Sequence, residues 1–101
     1  MKTREYLFEG LENLNDGFDA ESIIYVSEQD FETVLNRAEA KNIAIYGIEP
    51  WYERDFFDVR VYDFTGYEAN DPRWYRAAFE EFKSEQSGLM YAMTYDNFTI
   101  E

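Results

Sequence analysis

Residues 43–64 read IAIYGIEPWYERDFFDVRVYDF, from Ile43 to Phe64, and hold two β-prone runs, Ile43–Ile48 and Phe56–Tyr62. β-Branched and aromatic side chains dominate both runs, and such side chains suit a pleated, half-buried surface. Between them Pro50 and the charged Glu53-Arg54-Asp55 cluster interrupt the pattern. The stretch therefore predicts a β-hairpin. In its second arm Phe57, Val59 and Val61 alternate with Phe56, Asp58, Arg60 and Tyr62, giving one apolar face and one mixed face. In its first arm Ile43 and Ile45 oppose Ala44, Tyr46 and Ile48, and Gly47 predicts a bulge or bend.

A sheet with one apolar face needs helices to cover it, and the flanking sequence supplies two. Upstream, Phe31, Val34, Leu35 and Ala38 fall at i, i+3, i+4 and i+7. Ser27 is the expected N-cap of that helix, with Asp30 three residues on and Lys41-Asn42 closing it. Downstream, Tyr75, Ala78, Phe79 and Phe82 repeat the stripe. Asp71-Pro72 marks its start, because a proline at the first helical position loses no hydrogen bond. Ser22–Val26 and Leu89–Tyr95 read as two further strands, and the tail from Asp96 as an irregular end or an edge pairing.

Residues 22–96 thus run strand, helix, strand, strand, helix, strand. That β-α-β-β-α-β order resembles the ferredoxin-like fold, an α+β architecture with two helices on one face of an antiparallel sheet. Residues 1–20 precede it as a short element, a strand at Tyr6-Leu7-Phe8 or, preferred, a helix from Thr3 carrying Leu7, Leu11 and Leu14. Asn15-Asp16-Gly17 is an expected tight turn. The expectation is one domain over residues 1–101.

Composition narrows function by exclusion. The chain has no cysteine and no histidine. Disulfide scaffolds, thiolate zinc sites, cysteine nucleophiles and histidine bases are therefore ruled out. The five glycines are isolated, so no phosphate-binding loop is present. Asp16, Asp19 and Glu21 lack the order of a calcium loop. Glu49 and Asp58 could face each other across the hairpin, but a glycosidase-like pair needs a deep cleft. The expectation is a non-enzyme without cofactor or metal. No apolar run approaches a membrane span, and Glu5 and Glu9 fall where a signal peptide needs apolar residues, so cytoplasmic residence is expected.

Charge is the strongest global feature: 22 Asp and Glu against 9 Lys and Arg, a net of −13. Such a surface repels phosphate backbones and anionic lipid and attracts basic partners from a distance. Tyr25, Tyr46 and Tyr62 could stack nucleic-acid bases on the open sheet face, but base-stacking surfaces need a basic groove beside them. The aromatics then mark a second core layer, covered by the N-terminal segment or a dimer partner, or else a recognition surface.

A small, strongly acidic domain with exposed aromatics resembles the immunity proteins of bacterial toxin–immunity pairs, and more distantly phage inhibitors that mimic nucleic acid. GIEPWYERDFFDV, residues 47–59, carries most of that profile. The resemblance implies a stoichiometric inhibitor that occludes the active site of a basic toxin, such as a nuclease. The expected contact surface is Glu49, Trp51, Tyr52, Glu53, Asp55, Asp58, Tyr62, Asp63, Tyr67 and Glu68. Aromatic anchors in an acidic field supply contact area and a fast on-rate together. The alternative is a homodimeric structural or small-ligand-sensing domain that pairs through its open sheet face.

Overall fold

In the computed structural model, which describes residues 1–100, the two apolar stripes become the two long helices. The chain runs α1 (Thr3–Phe8), β1 (Val26–Ser27), α2 (Glu28–Ala40), β2 (Ile45–Tyr52), β3 (Asp55–Phe56) and β4 (Arg60–Val61). A 3₁₀ turn at Tyr62–Phe64, α3 (Pro72–Glu85) and β5 (Met90–Tyr95) complete it. The Ser27 side chain accepts the Asp30 N–H at 3.1 Å and Asp71 accepts the Arg73 N–H at 2.9 Å, so both caps stand where the sequence places them. Both stripes are buried against Ile45, Ile48 and Tyr91 of the sheet. Trp74, also buried, donates its indole N–H to the Ala69 carbonyl.

All strand pairs are antiparallel, and β2 and β5 form the centre, in register from Ile45↔Tyr95 to Trp51↔Met90. The sheet order is β1-β5-β2-β3, with β4 also on β2. This is the expected α+β sheet with a different strand order, since a ferredoxin-like unit puts its first and third strands together at the centre. Here the last strand separates the first two. The reason lies in strand length. β1 has only two residues, because the Tyr25 N–H goes to the Asn13 side chain and the Tyr25 carbonyl to Leu14 N–H. β2 and β5, the longest strands, occupy the positions where both edges are hydrogen-bonded.

The hairpin turn is tighter than expected. β2 continues through Pro50 to Tyr52, and only Glu53 and Arg54, both at positive φ, form the turn. Pro50 is tolerated because its carbonyl accepts both Phe57 N–H and Asp58 N–H, a bulge on the edge where the proline's missing donor also points.

The N-terminal helix is shorter than the spacing of its leucines predicts, ending at Phe8. Arg37 donates to the carbonyls of Leu7 and Glu9 at 3.1 and 2.8 Å, so a cation closes it. The tail forms the edge pairing, with a bridge between Lys2 and Thr99. Thr3 pins the two ends. Its buried hydroxyl lies 3.0 Å from the Asp96 carbonyl and accepts the Phe98 N–H at 3.1 Å. Thr3→Val keeps the shape and leaves those groups unpaired, so a loss of ~1–3 kcal/mol is expected in urea unfolding. A loss within error would show that the ends are not coupled to the fold.

Candidate functional site

The bulge between Ile45 and Gly47 decides which side chains reach the open face of the sheet. It places Ile45 and Ile48 on the helix side, and Tyr46, Gly47, Glu49 and Trp51 on the other. The sequence alternation had set Ile45 and Ile48 on opposite faces. A single extra residue shifts the phase of everything after it.

Part of the open face carries a second core layer. Phe18, from the loop before β1, packs on Tyr25 at 4.8 Å and on Trp51 at 5.3 Å between ring centroids. Asn15 holds that loop, donating to the carbonyls of Ala20 and Ile23 at 2.9 and 2.8 Å and accepting Gly17 N–H. Gly17 itself sits at φ 115°, so the expected turn forms. The buried Tyr25 hydroxyl donates to Asp19 at 2.6 Å and lies 3.4 Å from Glu49, whose Oε2 also accepts the Trp51 indole N–H at 2.7 Å. Burial first, then the two carboxylates, pushes the Tyr25 hydroxyl well above its usual range. The same hydroxyl, with Ala20 N–H, holds Asp19 below the usual carboxylate range.

Beyond Phe18 the face is open. A groove of about 360 Å³ runs beside β2, β4 and β5, with Gly47, Val61, Ala92 and Thr94 along it and Glu49 and Asp63 among its lining. Gly47 matters for its shape: a Cβ there would meet Val61 Cγ1 at 3.4 Å.

No family model, curated protein or solved structure matches this chain.

The ten expected contact residues do not form one surface. Glu49 and Trp51 lie on the open face, both half-buried and already bonded to each other. Tyr52 lies on the helix side and packs against the core. Glu53 and Asp55 are exposed at the hairpin tip. Asp58 turns its carboxylate to Val59 N–H at 2.7 Å. Tyr62 is half-buried against the core and tilted against Tyr46 at 5.9 Å. Asp63 and Glu68 are exposed, and Tyr67 is exposed with the Arg73 guanidinium 4.7 Å above its ring.

Three exposed apolar side chains were missed: Phe56, Val59 and, at 91% exposure, Phe64. The available signal was Phe64's place between Asp63 and Thr65-Gly66, outside any alternating run.

Ion pairing divides the surface. Arg54 pairs with Asp16 and Arg60 with Glu81, while Arg73, Arg76 and Lys83 pair with acids on or beside the helices. Among the described residues Glu49, Glu53, Asp55, Asp58, Asp63 and Glu68 form no ion pair. Among those residues there is also no group of three or more acids placed to hold a metal ion, and no helix is long and apolar enough to cross a membrane.

Proposed function

We propose that this chain is an acidic protein-binding module, a stoichiometric immunity or inhibitor protein that neutralises a basic toxin, with a nuclease the favoured target, by occluding its active site. The observation that supports it most is the set of six carboxylates between Glu49 and Glu68 without a cation of their own, beside exposed Tyr46, Phe56, Val59 and Phe64. Both arginines inside that segment are engaged by acids outside it. The field steers a basic partner, and the apolar side chains provide area that loses water on contact.

The mechanism is occlusion, with no chemical step. Steered encounter raises the association rate, and charge-assisted hydrogen bonds donated by lysine or arginine to the acids fix the register. Trp51 contributes less than its sequence position suggested, because Phe18, Tyr25 and Phe56 already pack around it. Phe64 takes its place as the expected anchor.

Capture from host lysate at low and high salt, with solution mass measured alongside, tests this. A monomer that retains one basic protein, released as salt rises, is the expected result. Neutralising Glu53 and Asp63 together by Gln and Asn is expected to slow association at low salt by roughly three- to tenfold. A change below about twofold would remove steering from the mechanism. A salt-insensitive dimer that captures nothing would favour the homodimeric reading instead.

A further inference from the structure

We infer that the groove on the open sheet face receives an extended basic segment of the partner, with one cation at Glu49, another at Asp63, and a small apolar side chain between them. This rests on the inhibitor reading and names the part of the surface that makes the specific contact.

Three features lead to it. The first is the lining: Gly47, Val61 and Ala92 supply apolar floor, and among the described residues no lysine or arginine lines the groove. Its volume of about 360 Å³ lies at the lower end of small-ligand sites. The second is charge placement. Glu49 stands opposite Ala92, and Gly47 stands opposite both Val61 and Thr94, so Asp63, two residues beyond Val61, marks the far end. Glu49 lies two residues along β2 from Gly47, roughly 7 Å, and Asp63 sits in the 3₁₀ turn that follows Val61. An extended chain that reaches from one acid toward the other presents alternate side chains to the groove floor between them.

The third feature is preorganisation. The Trp51 indole N–H fixes one oxygen of Glu49, and among the described residues the other has no hydrogen-bond donor. Among the described residues Asp63 has no ion-pair partner either. A half-buried, oriented carboxylate makes a stronger charge-assisted bond than a freely rotating one in water. Charge complementarity therefore selects a cationic occupant, and the apolar floor suits an uncharged side chain between its cations.

The probe is acetyl-Lys-Thr-Val-Thr-Lys-amide, titrated at low salt into the full isotope-labelled chain and followed by amide NMR shifts. The controls are the peptide with Glu for Lys and one with adjacent lysines. Shifts are expected at Gly47, Val61, Ala92 and Thr94, and the controls are expected to bind more weakly. Asp63→Asn, an exposed substitution, should weaken binding about two- to fivefold. Thr94→Trp, which fills the groove from an exposed position, should weaken it about tenfold or more. Shifts spread evenly over the acidic surface, or binding unchanged by both variants, would overturn the assignment.

The two readings fail separately. If lysate yields a basic partner that Thr94→Trp still holds with full affinity, the groove assignment falls and the inhibitor reading stands. If the peptide binds in the groove and lysate yields no basic protein, the assignment stands as a site and the inhibitor reading falls.

Discussion

Phe31→Ala is expected to lower the unfolding free energy by ~3–5 kcal/mol, the range for deleting a fully buried aromatic ring. Phe31 has no exposed surface. Its ring stacks on Tyr91 at 4.8 Å with 10° between planes, and Phe79 meets it edge-on at 5.3 Å. Those partners belong to β5 and α3, so one side chain of α2 joins both helices to a central strand. Alanine would leave a cavity between elements whose mutual packing is already fixed, which limits relaxation. Against a total of ~5–15 kcal/mol for a domain of this size, roughly a fifth or more of the stability goes. Phe64→Ala is the control: at 91% exposure it should change stability by no more than ~0.5 kcal/mol. Urea unfolding monitored by circular dichroism measures both. A Phe31→Ala loss below ~1 kcal/mol would mean that the stacked ring is not part of a tight core.

That contrast also marks where the sequence was legible. Phe31 was placed in the core by local signals, the Ser27 cap and the i, i+3, i+4, i+7 stripe, and α2 and α3 follow from such signals alone. The sheet does not. Ser22–Tyr25 has high β propensity, but the backbone groups of Tyr25 are taken by Asn13 and Leu14, a choice set by a loop elsewhere in the chain. Pro50 looked like a breaker, yet it faces a bulge where no donor is needed. The turn was hidden because Glu53 and Arg54 adopt positive φ without glycine or asparagine to announce it.

The candidate surface was legible in its charges and only partly in its aromatics. Acids stay exposed in almost any fold, so Glu53, Asp55, Asp63 and Glu68 emerged where expected. Aromatic placement depends on strand phase, and bulges at Tyr46-Gly47 and at Phe57-Asp58 reset it on each arm of the hairpin. Tyr52 therefore points to the core while Phe56 and Val59 point to solvent. The loop carrying Phe18 adds a cover over Trp51 that comes from more than thirty residues away in sequence.

Alkaline pH is expected to unfold the chain more steeply than its exposed groups alone would dictate. Tyr25, Tyr75 and Tyr91 expose no surface. Burial pushes the Tyr75 hydroxyl up to about 12, with Glu39 adding to it. Burial raises Tyr91 further, with Glu28 and Glu80 adding to it, and burial also dominates the rise at Tyr25. In the unfolded chain each returns to about 10. A folded value above the unfolded one means that stability is complete below pH ~10 and is lost as pH climbs toward the folded value, because the native state then holds more protons. Each group contributes up to about 1.4 kcal/mol per pH unit in that window, and the three together up to about 4. Among the described residues neither Tyr75 nor Tyr91 has a hydrogen-bond partner for its hydroxyl, so an ionised oxygen at either position would find no donor there. Tyrosinate absorbance and helical circular dichroism, followed together, test the coupling. The buried rings should ionise only as helicity collapses. Tyr91→Phe removes an unpartnered hydroxyl, so it should be neutral or slightly stabilising at pH 7 and should lessen the alkaline slope by about one proton. Complete tyrosine ionisation with the helices intact would show that these rings are reached by solvent in the native state.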